Sequence, residues 1–135
     1  MTDPDLHEQL ANLGSFRERI EAPDFDFGEW VPSTKPAPGV LTMPYFAFSP
    51  DGLALLAAMP VQMGFDWGAW MHTDEFKGLL NDREVLAQAT PEQLLKLCTT
   101  LLRGDRFTDG TLANAYASGL LAAIVHRAGV ISEPA

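Results

Sequence analysis

Paired cysteines, an excess of positive charge and an apolar N-terminal run are all missing from this sequence. Cys98 is the single cysteine among 135 residues, so the chain forms no internal disulfide. It lies within a stripe of leucines, where we expect a packed thiol and not a nucleophile. An unpaired cysteine is typical of a reducing compartment, and residues 1–5 lack the apolar core of a signal peptide. We therefore predict a cytoplasmic protein.

Positive charge is scarce, because nine Lys and Arg residues stand against 18 Asp and Glu residues, giving a net charge of -9. Such a chain repels phosphate backbones and anionic lipid, so we predict neither nucleic acid nor a membrane surface as a partner. A hydrophobic fraction of 47% and three tryptophans indicate a globular protein. We expect residues 1–135 to form a single domain with its own core.

Motifs of known enzyme and metal sites are also missing. The chain has no nucleophile elbow, phosphate loop, paired-cysteine metal site or histidine-glutamate zinc helix. His72, Asp74 and Glu75 are close in sequence, but their spacing fits no known metal geometry. We predict no metal and no cofactor.

The strongest pattern is a predicted core helical hairpin over residues 90–128. Thr90, Pro91 and Gln93 form a capping box with proline at the first helical position. We expect this first helix to end at Gly104 in the left-handed conformation. A second helix is predicted from Thr108 or Asp109 to about Arg127, ahead of Gly129.

That second helix is apolar on nearly every side, with one bulky face and one small face. The bulky face has Leu112, Tyr116, Leu120 and Ile124, and the small face has Ala115, Gly119, Ala122 and Ala123. About fifteen apolar residues are short for a bilayer of roughly 30 Å, so we interpret it as the central helix of a core. The small face would let another backbone approach, from this chain or from a second copy.

Upstream of the hairpin we predict an N-terminal helix over residues 1–22 and a proline-rich loop over 23–39. The helix has a narrow apolar stripe that would either dock on the core or form a dimer seam. A small two-stranded ribbon is predicted near residues 29–48. A helix beginning at Ser49 and Pro50, with Leu53, Leu56 and Ala57 inward, and shorter helices capped by Asp66, Thr73 and Asp82 complete the chain. The predicted fold is mainly α, a single-domain bundle of about five to six helices around the C-terminal helix.

Four short motifs carry a resemblance to a known family. They are Gly28-Glu29-Trp30, Met43-Pro44-Tyr45, Phe65-Asp66-Trp67 with Trp70, and Arg103-x-x-Arg106-Phe107. Over residues 28–127 the chain resembles an uncharacterised prokaryotic family of small proteins, a domain of unknown function. The resemblance implies a mainly helical single domain and no particular activity. Pro60 interrupts a helix that such proteins continue, and Phe48 replaces a frequent tyrosine.

Residues 101–107, which we call the arginine corner, are the first candidate site. Arg103 and Arg106 could hold a carboxylate or phosphate near the start of the next helix, with Asp109 as a base in a hydrolytic enzyme. A structural role is the alternative, in which the arginines pair with Asp105 or Asp109 and join two helices. The two readings differ in whether the guanidinium groups face a concave surface.

Aromatic side chains form the second candidate site. Tyr45, Trp67 and Trp70, with Trp30 and Phe65, could line an apolar ligand pocket, or they could pack as ordinary core. Two functions therefore remain open. The first is a non-enzymatic protein that acts through self-association or contact with another protein. The second is a protein that binds a small anionic ligand, or a hydrolytic enzyme, centred on Arg103 and Arg106.

Overall fold

A computed structural model describes residues 4–35, 37–41, 43–106 and 110–133. These residues form nine helices and one two-stranded sheet, which confirms the mainly α fold. In chain order the elements are α1 (Pro4–Gly14), α2 (Arg17–Glu21), β1 (Gly28–Val31), β2 (Tyr45–Phe48), α3 (Pro50–Ala58), α4 (Trp67–Trp70), α5 (Asp74–Asn81), α6 (Arg83–Leu86), α7 (Pro91–Asp105), α8 (Thr111–Ala117) and α9 (Leu120–Ser132). Helices outnumber the predicted five to six because several are one or two turns long.

The capping box at the start of α7 is present as predicted. The Thr90 hydroxyl oxygen accepts a hydrogen bond from the Gln93 backbone N–H at 3.1 Å. The Gln93 side-chain oxygen accepts one from the Thr90 backbone N–H at 2.9 Å. The predicted end of the helix is wrong. Gly104 keeps a helical backbone, and α7 continues to Asp105. At the junction after α7 the glycine with a positive φ is Gly110, at +95°, and it is the N-cap residue of α8.

The second half of the predicted hairpin is two helices, so the prediction of one continuous helix is wrong. Gly119 has a φ of +85°, a conformation that glycine adopts at little cost, and it follows the last turn of α8. Helices α8 and α9 are bent by 75° at this point. Among the described residues no single helix is long and apolar enough to cross a membrane; α8 and α9 meet that requirement only when joined across the bend.

Helix α9 lies at the centre of the molecule, and α1 packs along it. Leu6, Leu10 and Leu13 of α1 are buried, so the N-terminal stripe docks on the core and is not a free dimer seam. The two backbones come closest at Gly14 and Gly129, where a Cβ on Gly14 would lie 2.5 Å from the Gly129 Cα. The N-terminal region is two helices, because α1 ends at Gly14, a weak helix former, and α2 starts at Arg17.

The predicted ribbon pairs β1 and β2 antiparallel, with Trp30 opposite Phe46. Phe27, just before β1, joins the ribbon to the core by stacking on Tyr116 with ring centroids 4.5 Å apart. Helix α3 then begins as predicted, but the Ser49 hydroxyl donates to Asp26 and caps no amide. The prediction for its inward face is wrong at Leu53 and Ala57, which are exposed.

The inward position in α3 belongs instead to Leu55, which is fully buried. Gly52 allows this orientation, because a Cβ there would clash with the Phe27 carbonyl oxygen. Only a residue without a side chain lets α3 pack this closely on the ribbon. The rotation of α3 about its own axis is therefore determined by a tertiary contact, which the periodicity of hydrophobic residues does not reveal.

Candidate functional site

The arginine corner is held together by an acid and a backbone amide. The Asp105 carboxylate accepts the Leu112 amide at 3.0 Å, which satisfies a free N–H in the first turn of α8. Gly110 stands at the capping position without a side chain, so Asp105 supplies the cap from seven residues upstream. Asp105 therefore has a structural role at the junction of α7 and α8.

The two corner arginines line one small pocket. Its volume is about 310 Å³, and Leu102 and Leu112 contribute to its apolar wall. Arg103 is half-buried, and its Nη2 lies 3.6 Å from the Met63 sulfur, whereas Arg106 is exposed. Within the described part of the chain neither arginine forms an ion pair with a carboxylate. Asp109, the predicted base, lies outside the described residues.

The predicted aromatic group is divided between two places. Trp30 packs edge-on against Phe46 in the ribbon, and Tyr45 stands beside it in β2. Trp70 belongs to a second cluster, between Phe65 and Phe76. The pocket of Arg103 and Arg106 is lined by none of Tyr45, Trp67 and Trp70.

Trp67 lies beside the corner on another side. It lines a pocket of about 360 Å³ together with Met71, Leu101, Gly104 and Thr111. Trp30 reaches the same junction from the ribbon, because a Cβ on Gly110 would lie 2.9 Å from its ring. The two tryptophans thus flank the α7–α8 junction and do not share a cavity with the arginines.

Glu75 is the centre of a polar network that connects three helices. Its carboxylate accepts hydrogen bonds from the Trp70 indole N–H at 2.6 Å and from the Gln93 side-chain NH2 at 3.1 Å. The Trp70 and Gln93 hydrogen bonds, and more weakly the charge of Lys96, hold the pKa of Glu75 below its ordinary value. The capping-box glutamine of α7 therefore also ties α5 to α7. Among the described residues no three His, Cys, Asp or Glu side chains are grouped so that they could hold a metal ion.

Cys98 is fully buried in α7, and burial raises the pKa of its thiol to about 12. A thiolate is the reactive form of cysteine, so this side chain is inert in the folded protein. The prediction of a packed thiol is confirmed.

A larger groove, absent from the sequence analysis, lies between α6 and α9. Its volume is about 690 Å³, and we call it the α6–α9 groove. Its apolar residues are Leu86, Ala87, Gly119, Ala122, Ala123 and Val130, and its polar residues are Glu21, Arg83, Gln88, His126 and Arg127. The predicted small face of the C-terminal helix thus forms part of a groove that none of the described residues fills.

Both arginines of this groove are bound to backbone carbonyls. Arg83 donates to the Leu80 and Ser118 oxygens at 3.1 and 3.2 Å, and Arg127 Nε donates to the Ala89 oxygen at 2.8 Å. His126 lies 2.8 Å from the Glu21 carboxylate. No sequence pattern indicated these hydrogen bonds, because Arg83 and Arg127 donate to carbonyl oxygens of residues 35 and 38 positions away in the chain.

The ribbon and its loop carry large apolar side chains in water. The exposed fractions are 50% for Trp30, 49% for Val40, 67% for Leu41, 75% for Met43 and 52% for Tyr45. We call these five residues the hairpin surface. Exposed apolar groups collected on one segment are typical of a contact surface.

Comparison with known proteins yields one match. A family of unknown function, DUF6508, matches residues 6–134. The match contains every candidate residue named above and confirms the resemblance to an uncharacterised family. No curated protein and no solved structure matches the chain.

Proposed function

We propose, from the premise that the chain belongs to this family of unknown function, that the protein is non-enzymatic and acts through contact with a second copy of itself. The sequence indicated two surfaces for such a contact, the N-terminal stripe and the small face of the C-terminal helix. The N-terminal stripe is used by the core, and the small face lies in the α6–α9 groove. The hairpin surface is the one with large apolar side chains standing in water.

Charge is the observation that favours a second copy as the occupant. Residues 30–50 contain no acid and a single charged residue, Lys35, although the chain has 18 Asp and Glu residues. Two molecules of net charge -9 repel each other wherever acidic surfaces meet. Glu29 is the one acid of the ribbon, and because it adjoins Trp30 in β1 its side chain points to the opposite face of the strand. The face that carries Trp30 is therefore a place where two molecules approach with few carboxylates between them.

The ribbon adds a second reason. It has two strands, so β1 and β2 each have an outer edge with no β partner among the described residues. Free edges pair readily with another strand, and isolated two-stranded ribbons are marginally stable. Antiparallel pairing of two ribbons about a two-fold axis would satisfy one edge of each ribbon and bury the apolar side chains. The proposal places the protein in the cytoplasm, where its unpaired Cys98 is stable.

Charge reversal on the hairpin surface tests this proposal. We expect the wild-type protein to be a dimer, and Leu41→Asp or Met43→Asp to shift it to monomer, because each variant places an unpaired carboxylate in the contact. Light scattering coupled to size exclusion, over a range of concentrations, measures the mass. Met63→Asp is the matched control, since Met63 is 79% exposed and lies outside the ribbon.

Circular dichroism would verify that the three variants remain folded. A wild-type protein that stays monomeric at every concentration would refute the proposal. So would a Met63→Asp variant that dissociates as fully as Leu41→Asp, because the effect would then be one of net charge.

A second candidate function, binding of a small anion, is favoured by the pocket that Arg103 and Arg106 share without an ion pair in the described part of the chain. Two guanidinium groups on one concave surface suit a carboxylate or phosphate. Under this function we expect phosphate to raise the melting temperature of the wild-type protein more than that of a folded Arg106→Ala variant. Equal shifts would exclude the corner as the binding site.

A further inference from the structure

The α6–α9 groove combines an apolar floor with basic groups that are fixed in place. Each guanidinium has five N–H donors, of which Arg83 uses two and Arg127 one in bonds to backbone carbonyls. Neither side chain forms an ion pair within residues 4–35, 37–41, 43–106 and 110–133. The carbonyl bonds hold both side chains in place, and each guanidinium keeps N–H donors that no carboxylate of the described residues uses.

We propose that the α6–α9 groove binds a small amphiphilic anion, a carboxylate attached to an apolar chain. The carboxylate contacts Arg83 and Arg127, and the apolar chain lies on the floor formed by Ala122, Ala123 and Val130. A volume of about 690 Å³ matches the size of sites that take small organic ligands. This site is separate from the hairpin surface and from the arginine corner.

The carbonyl bonds give the groove its preorganisation. Arg83 connects α6 to the carbonyl at the bend between α8 and α9, and Arg127 connects α9 to the turn that precedes α7. Bonds of this kind hold each guanidinium group in one orientation before the ligand arrives. The cost of ordering two long side chains is therefore met in folding and not in binding.

One acid in the groove limits the charge of the ligand. Glu21 lines the groove, and its carboxylate lies 2.8 Å from His126 Nε2. A polyanion that filled the groove would bring additional negative charge close to Glu21, whereas a monocarboxylate places one charge at the arginines. The small side chains of Gly119, Ala122 and Ala123 leave room for a slender apolar chain along α9.

Decanoate is the probe, and decanol is the matched compound without charge. We expect isothermal titration of the full chain to detect decanoate binding, and decanol to bind at least about tenfold more weakly, because it lacks charge-assisted hydrogen bonds. Arg83→Gln and Arg127→Gln should each weaken decanoate by about tenfold or more. Arg19→Gln is the matched control, since it removes the same charge from a half-exposed arginine outside the groove and should leave the affinity unchanged. Arg103→Gln reports on the arginine corner, the other pocket that suits a carboxylate.

A third variant tests the floor and keeps both arginines. Ala123→Phe fills the groove with a ring and should abolish decanoate binding in a protein that is folded by circular dichroism. If Arg127→Gln fails to fold after losing its hydrogen bond to the Ala89 carbonyl, Ala123→Phe still tests whether decanoate binds in the groove.

Three results would overturn the assignment. They are no binding of decanoate to the wild-type protein, equal binding of decanoate and decanol, and loss of binding in Arg103→Gln with retention in Arg127→Gln. If Ala123→Phe dissociates a wild-type dimer, the groove is an interface between copies, and the ligand site is likewise refuted. The hairpin variants Leu41→Asp and Met43→Asp should bind decanoate normally, so failure of the ligand site and failure of the dimer are distinguishable.

Discussion

At the residue scale, Glu75 shows how one ionised side chain holds several elements. It accepts hydrogen bonds from Trp70 in α4 and from Gln93 in the first turn of α7, and it is itself in the first turn of α5. Because these bonds favour the carboxylate, the pKa of Glu75 is lower in the folded protein than in the unfolded chain. A lowered pKa stabilises the fold above the unfolded value, and this contribution is lost as the pH falls through the folded value.

Glu75→Gln makes that contribution measurable. Glutamine still accepts the indole hydrogen bond but cannot ionise, so we expect the variant to be less stable than the wild type at pH 7. The difference in free energy of unfolding should shrink as the pH falls below the ordinary value of 4.5 and through the lower folded value. Urea unfolding followed by circular dichroism measures it. Asp74→Asn removes the same charge from the same turn, and a matching pH dependence there would contradict a specific role for Glu75.

Local hydrogen bonds between near neighbours were predictable from the sequence, and distant ones were not. The caps by Thr90, Asp66 and Asp82 depend on residues two or three positions apart, so the residue types alone identify them. Arg83 and Arg127 bind carbonyls brought close by folding. No sequence pattern distinguishes such arginines from solvated ones, and for this reason the α6–α9 groove emerged only from the structure.

At the element scale, the same difference separates helix starts from helix ends. The starts of α5, α6 and α7 follow from capping side chains, whereas α8 and α9 begin at glycines with positive φ. The sequence favoured a left-handed Gly104 at the end of α7, but the left-handed residues of this region are Gly110 and Gly119. Gly104, Gly110 and Gly119 all adjoin apolar helical patterns, so hydrophobic periodicity could not show which of them has a positive φ. The result is a short α8, a sharp bend, and the groove that begins at Gly119.

Alanine at Gly104 and Gly119 should have opposite effects on stability. Gly104 is helical, and its Cβ would meet Thr111 at an ordinary 3.7 Å, so Gly104→Ala should stabilise by about 0.5–1 kcal/mol. Gly119 has open space but a positive φ, so Gly119→Ala should destabilise by about 1 kcal/mol. Urea unfolding followed by circular dichroism gives both values. Destabilisation by Gly104→Ala would place the left-handed residue where the sequence analysis predicted it.

At the scale of the whole molecule, the contact between α1 and α9 determines which surfaces remain available. It buries the leucines of the N-terminal stripe and leaves the hairpin surface and the α6–α9 groove open. The sequence predicted that this stripe would either dock or form a dimer, and could not choose. The choice depends on Gly14 and Gly129, which let two backbones meet, and the pairing of these two glycines is invisible in a linear pattern.

Alanine substitutions at that crossing should be unequal. A Cβ on Gly14 would lie 2.5 Å from the backbone of Gly129, which cannot move without shifting α9, so Gly14→Ala should cost about 1–3 kcal/mol. A Cβ on Gly129 would meet the Arg17 side chain, also at 2.5 Å, and that flexible chain can turn away. We therefore expect Gly129→Ala to be the milder change in urea unfolding.

Gly78→Ala, whose Cβ would have only a 3.8 Å contact in α5, serves as the control and should not destabilise. Equal tolerance of alanine at Gly14 and Gly78 would show that α1 does not lie against α9, and the N-terminal stripe would again compete with the hairpin surface as the site of self-association.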